Sequence, residues 1–165
     1  MLHDLLTPNL ALVICGTAAG HESAARQQYY AKPGNRFWPT LFDTGLTPVQ
    51  LAPNRYRELL TYGIGLTDLA KGVQGMDHEL DANAFDRTGL TNRMLNYAPR
   101  YLCFNGKRAG QEYLQRKVSY GLQQETIGST RLFIAPSTSG AAIRWWDIGV
   151  WQELAALVGR TGFSC

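Results

Sequence analysis

The sequence predicts an α/β fold: a three-layer α/β/α sandwich around a central, mostly parallel sheet, built as one domain over residues 1–165. Three observations carry that expectation. Residues 10–15 (LALVIC) form a continuous apolar run, too short for a membrane span and suited to a strand buried on both faces. Shorter apolar runs recur at residues 101–104 (YLCF) and 131–135 (RLFIA). Segments with helical spacing lie between them, and strands alternating with helices imply a parallel sheet covered on both sides.

Residues 1–9 read as a lead-in. The first strand covers about residues 10–16 and opens into a small-residue turn, Gly16-Thr17-Ala18-Ala19-Gly20, where backbone N–H groups can approach a ligand closely. A polar loop runs to about residue 32. Pro33 then starts a helix reaching Thr44, with Gly45 as its stop. Residues 48–62 follow as a second helix, with Asn54 a candidate cap and Gly63 its end. Residues 63–70 (GIGLTDLA) are either a brief strand or an extended turn, and residues 71–80 a loop. Leu90, Met94 and Tyr97 share one face of a helix over residues 81–97, which Pro99 breaks. The strand at 101–104 ends at Asn105-Gly106, and residues 107–117 are helical. Residues 126–131 turn between two extended pieces, and a last helix carries Ile148, Trp151, Ala155 and Val158 on one stripe.

Composition and motif spacing exclude several classes. The glycine turn is neither GxGxxG nor GxxxxGK[ST], so neither a dinucleotide nor a P-loop site is indicated. A net charge of +3 suits a polyanionic partner, but no block of like charges occurs, so a nucleic-acid footprint must converge from scattered residues. The three cysteines form no CxxC pair and share no ligand spacing with histidine; Cys15 and Cys103 lie in apolar runs and read as buried free thiols. No metal and no cofactor are therefore expected. The N-terminal MLHDLL lacks the charged and long apolar regions of a signal peptide, so a cytoplasmic protein with no membrane contact is expected.

One constellation is more specific. The first strand, G-x-x-x-G at Gly16 and Gly20, Tyr30 ten residues later, and A-x-P-G-N-R-F-W from Ala31 to Trp38 together resemble the first motif region of the mismatch-specific uracil/thymine-DNA glycosylases. Pro136-Ser137-Thr138-Ser139-Gly140-Ala141 is similar to that family's second motif, a loop after the last strand. Gly65-Leu66-Thr67 and Asn105-Gly106-Lys107 fall where the family has similar turns. The resemblance covers roughly residues 10–158 and implies a uracil-DNA glycosylase-like fold. It implies a monomeric, monofunctional enzyme that flips uracil out of duplex DNA, especially from G·U mispairs, and hydrolyses its glycosidic bond. Single-stranded DNA is a further candidate substrate, and a catalytically inactive DNA-binding module is the alternative function.

The same resemblance assigns candidate site residues. Gly16, Thr17, Ala18, Gly20, Ser23, Tyr30 and Asn35 would bind the base, with Tyr30 stacking on it. Ser137, Thr138, Ser139, Gly140, Ala141, Ala142 and Arg144 would meet DNA, where small polar residues can lie against phosphates. Ala141 stands where the family pushes a residue into the base stack, so the wedge is blunt and selectivity for the opposite base is expected to be loose. Phe37 and Trp38 read as core anchors, and Trp145, Trp146 and Trp151 as helix packing. His21 is either a DNA contact or an exposed loop residue; His3 and His78 carry no signal.

The sequence departs from the family at Ala18, where the usual asparagine holds the attacking water. A carboxylate could replace it, both holding the water and stabilising the charge that develops on the sugar. Asp43 lies late in a helix and should face away. Glu22 lies in the site loop. Asp68 follows a short extended run that should lie beside the first strand and end at the same carboxyl edge, where parallel sheets gather reactive groups. Asp68 is the favoured catalytic candidate and Glu22 the second; a turn cap is the plainer alternative for Asp68.

Overall fold

The structure is a computed structural model in which residues 2–71, 75 and 84–160 are described. Side-chain alternation along the strands builds two cores. In β1 (Leu12–Gly16), Leu12 and Ile14 enter one apolar cluster while Val13 and Cys15 enter the other. β3 (Tyr101–Asn105) and β5 (Thr130–Ala135) repeat the pattern, with Cys103 and Phe133 on the first side and Phe104 and Ile134 on the second. All of β1 and β3 is buried, which is why they read as unbroken apolar runs.

The first face is covered by α2 (Phe37–Asp43), a 3₁₀ segment (Pro53–Tyr62) and α5 (Ile148–Val158), through Phe37, Leu41, Leu59 and Trp151. The second is covered by α3 (Arg87–Tyr97) and α4 (Lys107–Leu114), through Leu90, Met94 and Ala109. The sheet order is β2-β1-β3-β5-β4, with β2 (Ile64–Asp68) parallel to β1 and only β4 (Gly121–Ile127) antiparallel. The expected three-layer, mostly parallel architecture is therefore present. The chain leaves β1 for β2 on one side and returns to β3 on the other, so the order reverses beside β1. Open α/β sheets form their crevices at such reversals, outside the carboxyl ends of the strands.

Several local expectations need correcting. The polar loop after Gly20 contains a short helix, α1 (His21–Arg26), on which Glu22 pairs with Arg26 at 3.0 Å one turn later. α2 begins at Phe37 rather than Pro33, because Gly34 has φ +88° and Asn35 turns its Oδ1 back to accept the Phe37 N–H. The 48–62 helix is a kinked 3₁₀ segment from Pro53, and Asn54 does not cap it. Residues 63–70 contain a true strand. α3 starts at Arg87 behind its Asp86 cap, and residues 81–83 lie outside the described residues. α4 ends at Leu114, and Leu154 rather than Ile148 completes the buried stripe of α5.

The lead-in is an edge cover. Leu5 bridges Leu66 through two backbone hydrogen bonds of 2.9 Å, closing the exposed side of the outer strand β2. Cys15 and Cys103 are buried free thiols, as expected. His78 and Cys165 lie outside the described residues. Among the described residues no helix is long and apolar enough to cross a membrane.

Candidate active site

The carboxyl ends of β1, β2, β3 and β5 meet around one cavity of about 330 Å³. Gly16, Thr17, Ala18 and Gly20 from the turn after β1 line it, as do Ser23, Tyr30 and Asn35. Ser137, Thr138, Ser139, Ala141 and Ala142 from the loop after β5 form its opposite wall. Two motif regions separated by a hundred residues thus face each other across a pocket the size of a small ligand.

Asp68 is the carboxylate at its base. β1 and β2 pair in the register Gly16↔Asp68, and the Asp68 side chain is only 5% exposed. The absence of a side chain at Gly16 makes this approach possible: a Cβ there would stand 2.9 Å from Asp68 Oδ1 and 3.4 Å from the Tyr30 hydroxyl. Asp68 Oδ2 accepts from Lys71 Nζ at 3.4 Å, and its backbone carbonyl accepts from Arg93 at 3.0 Å. Burial pushes the Asp68 carboxyl above the ordinary range; the neighbouring Lys71 ammonium opposes that rise, Asp4 adds to it and Arg93 opposes it. The carboxylate accepts no backbone N–H among the described contacts, unlike the caps Asp86 and Asp147.

Glu22 is not brought to the site. Its carboxylate faces Arg26 on the outer side of α1, and it does not line the cavity. Asp43 is exposed on α2.

Tyr29 and Tyr30 separate by role. Tyr29 is 2% exposed and donates to the His3 carbonyl at 3.0 Å. Tyr30 takes a left-handed backbone (φ +52°) that turns its ring into the cavity wall, stacked on Phe37 with centroids 3.8 Å apart. The Tyr30 hydroxyl is buried without a well-formed hydrogen bond among the described residues. Burial and the Asp68 charge push it well above the ordinary phenol range, while the Asn105 side chain pulls the other way.

Ser23 Oγ accepts the Ala31 N–H at 2.9 Å, so its hydroxyl holds the loop as well as lining the pocket. Asn35 Oδ1 is engaged by Phe37, which leaves the amide N–H donors for a ligand. Phe37 and Trp38 are core anchors, as expected.

The loop after β5 is internally braced. Asn105 and Thr138 exchange two hydrogen bonds of 3.0 Å, and Ser137 and Ser139 each accept a backbone N–H two residues on. Arg36 ties it to the first motif, donating its backbone N–H to the Thr138 carbonyl at 2.8 Å and lying over the Trp146 ring. Gly140 packs against the Gly34 carbonyl, which a Cβ at 140 would meet at 3.3 Å, and it does not line the cavity. Arg144 is exposed over the Trp145 ring, also outside the cavity. Trp145 departs from expectation: it is 61% exposed at the cavity rim, beside the equally exposed Ile143, whereas Trp151 is buried and Trp146 half-buried.

Asn105 lines the cavity, and Lys71, with its partner Asp4, stands beside Asp68; none of the three is a sequence candidate. Asn105 carried a usable signal, an amide at the end of an apolar strand just before a glycine. Among the described residues no group of three or more His, Cys, Asp or Glu side chains could hold a metal.

The fold and site define an α/β protein with a preorganised pocket where its sheet order reverses, walled by a tyrosine ring and floored by a buried carboxylate. Residues 3–156 match the Uracil DNA glycosylase superfamily, and the chain belongs to that family. It is also similar to the solution NMR structure of a candidate uracil DNA glycosylase from Methanosarcina acetivorans, with 25% identity, a TM-score of 0.67, and coverage of 96% of this chain and 97% of that one.

Proposed function

We propose that the protein is a monofunctional DNA glycosylase that excises uracil, with G·U mispairs its principal substrate. The observation that carries this reading is the buried Asp68 carboxylate lining a cavity walled by Tyr30. The extruded base lies against the free face of the Tyr30 ring, the other face being covered by Phe37. Asp68 holds a water at the sugar's anomeric carbon. As the glycosidic bond breaks, the carboxylate stabilises the cationic sugar and takes a proton from the water, whose oxygen bonds to that carbon. The base leaves with the bonding electrons, and the Asn35 amide donors are suited to its developing negative charge. Nothing in this scheme uses an amine nucleophile. Lys71 is tied to two carboxylates, Asp4 and Asp68, which favours an intact abasic strand as product.

The rim supports duplex DNA as the partner. Arg144 and Lys32 are exposed beside the cavity, and Trp145 offers an aromatic face there. Ala141 is too small to fill the gap left by an extruded base, so processing of A·U pairs and single strands is expected alongside G·U. The deciding experiment follows end-labelled oligonucleotides carrying uracil opposite guanine, opposite adenine or unpaired. Alkali-sensitive abasic product, with no cleavage before alkali, is expected. Binding without base loss would replace this function with that of an inactive DNA-binding module, and neither binding nor loss would refute both.

A further inference from the structure

The N-terminal segment meets the site twice: Leu2 lines the cavity, and Asp4 holds Lys71 beside Asp68. Lys71 Nζ lies 2.7 Å from Asp4 Oδ1, 3.2 Å from the Leu2 carbonyl and 3.3 Å from the Tyr29 hydroxyl, but 3.4 Å from Asp68 Oδ2. Asp4 is itself fixed: Thr67 donates to its Oδ1 at 2.7 Å, and Arg93 Nε stands 3.3 Å from its Oδ2. Leu5 pins the segment to β2 and needs Gly65 beneath it, since a Cβ there would stand 2.5 Å from the Leu5 carbonyl. A strong charge-assisted N–H···O bond is about 2.7–2.9 Å long. The ammonium therefore makes its close contact with Asp4 and only a long one with Asp68.

We propose that Asp4 is a positioning residue for the active site: by sharing Lys71 with Asp68, it prevents the Asp68 carboxylate from closing a full ion pair and leaves it available to the bound water. This rests on the catalytic assignment of Asp68 above. The groups facing Asp68 are Asp4, Lys71, Arg93, Cys15, Tyr29 and Tyr30. Burial holds the thiol and both phenols neutral, so Asp4, Lys71 and Arg93 supply the charge. Asp4 acts in two ways with the same sign: its own charge raises the Asp68 pKa, and its hold on Lys71 weakens the contact that lowers it.

The test is the titration of the Asp68 carboxyl carbon by NMR, paired with the pH profile of single-turnover excision. Asp4→Asn keeps an oxygen for Thr67 but frees Lys71. It is expected to move the Asp68 titration and the acid limb of excision to lower pH and to lower the plateau rate, since a weaker base accepts the proton less readily. Lys71→Met is expected to move both to higher pH, and Lys71→Arg to leave them near the wild-type positions. A purely structural role for the segment would lower the melting temperature without moving either titration. An unmoved or upward-moving titration in Asp4→Asn, or the same direction in Asp4→Asn and Lys71→Met, overturns the proposal. The NMR titration needs no catalysis, so it judges the sharing of Lys71 even if Asp68→Asn excises normally; that second result would refute the catalytic assignment instead.

Discussion

Replacing Asp68 by asparagine separates catalysis from stability, because the two should move in opposite directions. The side chain is 5% exposed, and its carboxyl is raised mainly by burial, incompletely offset by Lys71 at 3.4 Å. A raised folded-state value means that the ionised form is disfavoured in the fold. The associated cost is absent below the unfolded carboxyl range and develops fully once the pH exceeds the folded value. Asparagine keeps the shape and an oxygen for Lys71 but is never charged. At neutral pH Asp68→Asn should therefore melt at a higher temperature than the wild type, and the gain should shrink as the pH falls through the Asp68 titration. Excision should fall by about 10²–10⁴-fold, the usual contribution of a positioned general base. The assay is single-turnover excision of uracil opposite guanine, with thermal melts at neutral and acid pH on the same samples. Glu22→Gln is the control, expected to excise normally because Glu22 faces Arg26 away from the cavity. Wild-type excision by Asp68→Asn, or a lower melting temperature at neutral pH, would refute the reasoning. Loss of activity in Glu22→Gln alone would transfer the role.

Four further outcomes are expected. Tyr30→Phe should keep most activity, since the lost hydroxyl makes no well-formed hydrogen bond, while Tyr30→Ala should lose about 1–3 kcal/mol of base stacking in a binding assay on abasic and uracil duplexes. Gly16→Ala should fold, because the atoms it meets are side-chain ends, yet excise as much as 10²-fold more slowly through displacement of the Asp68 carboxylate. Affinity for duplex DNA should fall steeply with salt as phosphate contacts release counterions; a flat titration between low and high salt would count against DNA as partner. Trp145→Ala should weaken duplex binding by about 1–3 kcal/mol with little change in melting temperature, given that the ring is 61% exposed.

What was legible in the sequence depended on whether it was local. The strands at Leu12–Gly16 and Tyr101–Asn105 were visible because residues buried on both faces must be apolar throughout. The position of Asp68 is legible by one topological step: an extended run beside β1 ends at the same edge, and the register pairs Gly16 with Asp68. Glu22 was a candidate only while residues 21–26 read as loop. Its pairing with Arg26 one turn on was a helix signal in plain sight. Trp145 looked like part of the last helix, but Asp147 caps Gly149 and starts that helix at Ile148, leaving Trp145 outside it. Asp4 and Lys71 lie sixty-seven positions apart and meet only once the segment is pinned against β2. No local pattern encodes such a contact.

On the proposed catalytic role of Asp68, an alanine at position 18 fits the same geometry. The turn after β1 need not supply a polar side chain if the neighbouring strand delivers one to the same place. β2 does so because the parallel register sets Asp68 opposite Gly16, and because position 16 has no side chain to keep the carboxylate away. Delivery from β2 also changes the electrostatics. Asp68 emerges beside Lys71, Arg93 and Asp4, which are linked to one another at the sheet edge. An asparagine on the turn could orient a water but could not accept its proton. A buried carboxylate can do both, provided its ion pair stays open, and at this edge the 2.7 Å contact between Lys71 and Asp4 keeps the ammonium from closing on Asp68.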